Sequence, residues 1–391
     1  MKPARGFTLI ELLVAATIGI IVITAVLSAG LHLQRQGFTE ERRMRAQTTS
    51  RAAADVLSLD LQLAGVGIGS SRVNLGGTVV SSSIAVVTAD PFATDPTFQL
   101  PLPPYAALAS DSLTVLTGDV TQIVPLGCCG GGGGSCTGCQ FRKPVTGEAC
   151  SPTNVPAAFN GQTIAFVNPV SNVACLHVVT GVTASSFTTT PGRTDVEPPA
   201  TDECEKNKNF WCARGGAYTI PVNTIVYRIN WQPRAPGLPQ RPRLQRDSDG
   251  PGPAPFEDLL LDVEQMTIRL GITHFGNGDV NFYPGALGPA LDQCTAATCP
   301  VLPGDVIPTS ALDKRPLDVT GPDATIRRLQ RRIRSVEVTL LSRSPSVDRG
   351  AIEVSGATFV PDEEGLLRDG FSRRRWVFEV APRNFRLAGE P

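Results

Sequence analysis

Residues 7–31, FTLIELLVAATIGIIVITAVLSAGL, form an apolar run behind the short leader MKPARG, and a single charge, Glu11, interrupts it. Coiled as a helix at about 1.5 Å per residue, the run spans roughly 37 Å, enough to cross a bilayer with some tilt. It is too long for the apolar core of a secretory signal peptide, and the basic part ahead of it is only six residues. Lys2 and Arg5 precede it, so the positive-inside tendency leaves the leader in the cytoplasm and everything after Leu31 outside. A carboxylate in hydrocarbon is costly unless it is paired. An ionisable group inside the membrane is a functional candidate by default, its partner to be named. Self-pairing or snorkelling to the interface is the plainer alternative for a carboxylate so near the helix end.

The 391 residues permit one to three domains. Formal charge is −1, and loss of the leader with Lys2 and Arg5 takes it to −3 (−1 − 2), so nothing marks the whole chain as a polyanion binder. The 38 Gly and 33 Pro against 3 Met, 3 His and 4 Tyr suit short strands joined by turns, which predicts a loop-rich, β-dominated body. Ten cysteines fit an oxidising compartment.

Beyond Leu31 the helical pattern continues with polar character to about Leu63, giving a rod of roughly 85 Å. Val56, Leu59 and Leu63, flanked by Leu57 and Leu61, supply a stripe that should lie against the body, and Gly65 and Gly67 end the run. Gly19, Gly30 and Gly37 are weak points, while Glu40, Glu41, Arg42, Arg43 and Arg45 read as a solvated face. The period then switches to two. Strands are predicted over residues 83–88, 112–117, 163–168, 174–179 and 186–190, and more firmly over 224–231, 265–273, 335–341 and 376–380. Long loops are predicted at 118–160 and at 232–256, the latter because of its prolines.

The segment GFTLIELLVA, with Gly6, Phe7, Thr8, Leu9, Ile10, Glu11 and Leu12 in pattern, resembles the class III leader of type IV pilins and pseudopilins. The resemblance implies that a membrane aspartic peptidase cuts after Gly6 and methylates Phe7. It further implies that Glu11 pairs with a neighbour's N-terminus and sets axial register. In the later half, VNTIVYRINW, RLQRDSDG, PFEDLLLDVEQMTIRLGI, RRIRSVEVTLLSRS and RRRWVFEVAPRNFRL are similar in order to segments of PilW-like minor pilins. That family implies an α+β, pilin-like fold: a leader at 1–6, a transmembrane and filament-core helix at 7–31, an amphipathic continuation at 32–66, and a β-rich, disulfide-containing head at 67–391. It implies a minor pilin that primes polymerisation or forms the pilus tip. Its partners would be the prepilin peptidase, the other minor pilins, the major pilin and a tip adhesin. The protein would stand in the inner membrane with its head in the periplasm and then move to the cell surface. Two other readings remain open: a GspJ-like minor pseudopilin of a type II secretion system, and a membrane-anchored extracytoplasmic module binding DNA or calcium.

Few side chains suggest chemistry. Cys128, Cys129, Cys136 and Cys139, followed by Cys150 and Cys175, are expected in disulfides. A zinc site ranks lower because one pair is adjacent and no His flanks the cluster. Cys204 with Cys212 and Cys294 with Cys299 would close small local loops. The glycines at 130–134 lack the Gly-Lys-Ser/Thr sequel of a phosphate loop. Asp247, Asp249 and Gly250, and likewise Asn277, Asp279 and Asn281, lack the spacing and closing Glu of a calcium loop and read as turns. His32, His177 and His274 are too scattered for a metal triad, and no nucleophile motif is present, so neither catalysis nor a cofactor is expected. On a helix Arg327, Arg331 and Arg334 would share one face that could grip acidic subunit surfaces, phosphates or lipid headgroups, with simple solvation the alternative, and Arg373, Arg374 and Arg375 are a second basic group. Nucleic acid is not an expected partner, because few aromatics interleave with these arginines.

Overall fold

A computed structural model of the chain describes residues 8–68, 72–74, 80–81, 83–87, 95–128, 139–141, 159–168, 173–182, 187–191, 218–233, 235, 237–248, 256–273, 280–283, 333–347 and 367–386. One long helix, α1 (Leu9–Leu63), is followed by strands β1 (Arg72–Asn74), β2 (Val80–Ser81), β3 (Ile84–Val87), β4 (Ser112–Gly118), β5 (Val124–Cys128), β6 (Cys139–Phe141), β7 (Thr163–Asn168) and β8 (Val173–Val182). Then come β9 (Phe187–Pro191), β10 (Tyr218–Pro233), β11 (Gln240–Asp247), β12 (Glu257–Leu261), β13 (Val263–Thr273), β14 (Val280–Tyr283), β15 (Ile333–Arg343) and β16 (Arg373–Val380). An apolar N-terminal helix with a β-rich globular remainder is the α+β, pilin-like class that the sequence implied. The chain forms two compact units, residues 1–50 with 342–375 and residues 51–341 with 376–391.

In the first unit the helix is closed over at its small residues. Ala46 and Ser50 are fully buried, the Ser50 and Ser342 hydroxyls share a hydrogen bond, and Ser342 Oγ donates to Ala46 O at 3.0 Å. Arg343 lies over the Phe371 ring at 4.3 Å, and buried Arg373 donates to both oxygens of Asp369 at 2.9 and 2.7 Å. Arg343 stacks on a ring and Arg373 grips a carboxylate with two prongs, uses for which lysine would be a poor substitute.

In the second unit, among the described residues, one sheet runs β12-β11-β10-β7-β8-β1-β2, with β4, β5 and β9 branching from it, and a second runs β14-β13-β15-β16. β10 is the hub. Its first residues pair with β5 and β7, residues 222–227 pair with β4, and residues 226–233 pair with β11. Beyond Tyr227, opposite Leu113 near the start of β4, the edge of β10 is taken by an irregular strap, residues 95–105. Trp231 N–H donates to Gln99 O at 3.0 Å, Gln99 N–H to Asn230 Oδ1 at 2.9 Å, and Asn230 Nδ2 to Thr97 O at 3.0 Å. Gln240 accepts from Leu102 N–H at 2.9 Å, and Tyr105 stacks on Trp231 with centroids 5.0 Å apart. Arg228, almost fully buried, reaches Asp95 at 2.6 Å and Gln245 at 2.9 Å, with its guanidinium 3.5 Å from the Phe256 ring centroid.

Between β12 and β13 the chain changes sheets at Asp262, whose φ of 66° is unusual for a residue with a side chain. Arg241 holds that corner by donating to both carboxylate oxygens at 3.0 and 2.5 Å. On β13, Gly271 stands opposite Phe282 of β14, and a Cβ there would come within 3.1 Å of the Phe282 ring and 2.9 Å of Val280. The Ser335 hydroxyl, Val280 and the aromatic ring together fill the place a side chain would take.

Several expectations are corrected. β11 lies inside the stretch 232–256 that its prolines marked as a loop, with Leu244 fully buried, and β5 and β6 lie inside 118–160. The stripe on α1 is inverted. Ala53, Ala54, Leu57, Leu61 and Ala64 are buried, whereas Val56, Leu59 and Leu63 are exposed at 37%, 60% and 44%. Alanines on the inner face beside Leu57 and Leu61 let the helix come closer to the sheet than large side chains at 53, 54 and 64 would. Arg334 lies on strand β15, not on a helix, because the alternation of Val336, Val338 and Leu340 extends back to it. The helix itself ends at Leu63, where Gly65 takes φ of 74° and donates its N–H to Leu116 O at 2.9 Å.

Candidate assembly site

The N-terminus of α1 is closed by its own side chains. Thr8 is the N-cap: its carbonyl accepts from Leu12 N–H at 3.3 Å and its hydroxyl from Glu11 N–H at 3.3 Å. Glu11 Oε2 accepts from Thr8 N–H at 2.9 Å and from the Thr8 hydroxyl at 3.0 Å. This is a reciprocal capping box, and the pattern Thr-x-x-Glu announces it in the sequence. The box therefore answers two of the backbone donors that a helix start leaves without partners, Thr8 N–H through the carboxylate and Glu11 N–H through the Thr8 hydroxyl.

The following turns are arranged for an apolar medium. Thr17 Oγ1 donates to Val14 O at 2.8 Å and Thr24 Oγ1 to Ile20 O at 2.7 Å, so these hydroxyls are satisfied within the helix. The large apolar side chains between Leu9 and Leu33 are exposed, Leu9 at 82% and Leu33 at 67%. α1 is long and apolar enough to cross a membrane. The helix runs without a break through Gly19, Gly30 and Gly37, around which an added Cβ would meet nothing within 4 Å.

Residues 1–27 match the model of the prokaryotic N-terminal methylation motif. The match supports a type IV pilin-like protein, pilin or pseudopilin, and its prepilin-type leader implies processing by a prepilin peptidase and assembly with other pilins. Together with the apolar helix it points to membrane anchoring followed by incorporation into a pilus-type fibre. No curated protein and no solved structure matches the chain.

The remaining candidates fall as follows. Gly6 and Phe7 lie outside the described residues, as do Arg327, Arg331, His274, Asp249, Gly250, Asn277 and Asp279. Cys129, Cys136, Cys150, Cys204, Cys212, Cys294 and Cys299 lie there too, whereas Cys128, Cys139 and Cys175 fall on β5, β6 and β8. His32 sits on α1 with its Nε2 3.0 Å from Gln36 Nε2, and His177 meets Phe166 edge-on at 5.2 Å. Among the described residues no group of three or more His, Cys, Asp or Glu side chains is placed to hold a metal ion.

Composition and pattern missed two side chains. Thr8 was legible only as part of the leader, although its spacing to Glu11 is a capping signal. Asp60, in the run of leucines near the helix end, is buried against β10 and β11. Its carboxylate accepts from the Tyr227 hydroxyl and pairs with Arg246 at 3.1 Å.

Proposed function

We propose that the chain is a minor pilin of the PilW type, which primes polymerisation or forms the fibre tip with other minor pilins. The observation that carries this reading is a lone carboxylate at the start of an uncovered apolar helix, directly behind a leader of the methylation type. In this reading the peptidase cuts after Gly6 and the new Phe7 amine is methylated. Subunits leave the lipid as apolar helices bundle, and Glu11 of one subunit meets the N-terminal amine of another. The charge pair favours one axial offset, because any other register leaves both ions unpaired in a low-dielectric core. The exposed Val56, Leu59 and Leu63 extend the apolar contact face along the helix, and the β-rich part faces the periplasm before assembly. Cys128, Cys139 and the other cysteines would brace that part in an oxidising compartment, and Arg334 would lie in a contact between subunits.

The test is the mass of the mature N-terminus together with the assembly of Glu11→Ala. A product beginning at methylated Phe7, and processed Glu11→Ala that stays in the membrane, are the expected results. An intact Met1 or unaltered piliation by Glu11→Ala would overturn the reading.

A further inference from the structure

We infer that Thr8 is a positioning residue for assembly, presenting the Glu11 carboxylate to the neighbouring subunit with one oxygen held and the other open. The inference rests on the proposed role of Glu11 and adds a second residue to it. Both hydrogen bonds from Thr8 to the carboxylate end on Oε2, and among the described residues Oε1 accepts none. A carboxylate offers about four lone-pair sites, so an ammonium can approach Oε1 without displacing Thr8. The box survives maturation. Every atom in it belongs to Thr8 or Glu11, and both follow the bond between Gly6 and Phe7. The cut therefore adds a cation to the system and leaves the acceptor geometry as it was.

Two consequences follow from the apolar surroundings. In the unassembled subunit Thr8 supplies donors to a carboxylate that lipid would leave bare, which lowers the cost of keeping it near the membrane. In the assembled fibre the same donors fix the side chain, so the incoming amine meets one rotamer instead of several, and less conformational freedom is lost on pairing. The hydroxyl does both jobs at once, donating to Oε2 and accepting from Glu11 N–H. Valine would keep the branched shape and the Thr8 N–H bond while removing both hydroxyl interactions.

The experiment compares Thr8→Val, Thr8→Ser and Glu11→Gln in the full chain, expressed with its assembly machinery. The fraction of mature subunit recovered in sheared fibres is measured against that left in the membrane. Expressing assembly per processed subunit, with processing read by mass, keeps a slower cut from imitating an assembly defect. Thr8→Val is expected to lose assembly several-fold, Thr8→Ser to retain it, and Glu11→Gln to lose it at least as fully. Assembly of Thr8→Val at the parental level beside a defective Glu11→Gln would overturn the inference and leave the role of Glu11 standing. Equal failure of Thr8→Ser and Thr8→Val would also overturn it, since the hydroxyl would not be what matters. Normal assembly of Glu11→Gln would instead overturn the reading on which it rests.

Discussion

The hydroxyl of Tyr227, in the middle of β10, donates to the carboxylate of Asp60 on α1, and Arg246 of β11 reaches the same oxygen at 3.1 Å. Leu57 and Leu61 bracket this contact and are fully buried, so the helix meets the sheet through apolar packing with one polar anchor. An anchor of this kind specifies register, because sliding the helix by one turn would bury the carboxylate without partners.

Asp60→Ala leaves the Tyr227 hydroxyl and the Arg246 guanidinium without their acceptor, at an expected cost of about 2–4 kcal/mol. Tyr227→Phe removes only the hydroxyl and should cost roughly 1–2 kcal/mol. Chemical unfolding of the purified chain in detergent checks both values. A double variant that costs much less than the sum of the two would show that they act through one contact.

The same contact sets an alkaline limit. Burial is the main cause that raises the Tyr227 pKa above its ordinary value of 10.0. The hydrogen bond and charge of Asp60 push the same way, and Arg246 opposes them. The unfolded chain releases this proton first, so the contribution is complete below about pH 10 and declines as pH rises toward the folded value. Stability of the parent should fall more steeply above about pH 10 than that of Tyr227→Phe. Parallel curves for the two proteins would refute this.

Asp95 behaves in the opposite sense. Burial alone would raise its pKa, but hydrogen bonds from Thr97 and Arg228 and the guanidinium charge together lower it. Its stabilisation is present above the ordinary carboxylate range, near pH 4, and disappears as pH falls through the depressed value. Protection factors for hydrogen exchange at residues 97–102, relative to the intrinsic rate at each pH, should fall on acidification before those of β13 do. In Asp95→Asn the strap should be poorly protected at every pH.

Cys128 and Cys139 stand opposite one another in the β5 to β6 register. Directly opposed residues of an antiparallel pair lie at a Cα separation that a disulfide can span. Peptide mapping without reduction is expected to recover residues 128 and 139 in one linked fragment. Recovery of either cysteine linked to one of the 204, 212, 294 or 299 positions would contradict it.

The extent to which these features could be read in advance depended on whether local pattern and tertiary demand agreed. β7 was legible to the residue at Thr163–Asn168, since alternation and turn residues bound it on both sides. β11 was hidden by Pro242, and its register explains why that proline is tolerated. Trp231, the partner of Pro242, turns its N–H toward Gln99 O, so the pair asks no hydrogen bond of the missing N–H. On α1 the leucines at 56–63 announced an amphipathic helix, but small residues at 53, 54 and 64 decided which side turned inward. The leader was plain because its motif is contiguous. The grip of Thr8 on Glu11 was legible in principle from three-residue spacing, whereas that of Tyr227 on Asp60 joins residues far apart in the chain.

The strap over β10 bears on how such a protein multiplies itself. Were its flank open, the stretch of β10 beyond Tyr227 would be a template on which other chains could add strand by strand, and that growth obeys no fixed stoichiometry. The strap meets that flank at Asn230 and Trp231, where the backbone of Thr97 and Gln99 takes up the Asn230 amide and the Trp231 N–H, and so denies newcomers this route. In the proposed fibre, growth would then be left to α1, because residues 95–105 block strand addition at the end of β10, the longest strand among the described residues.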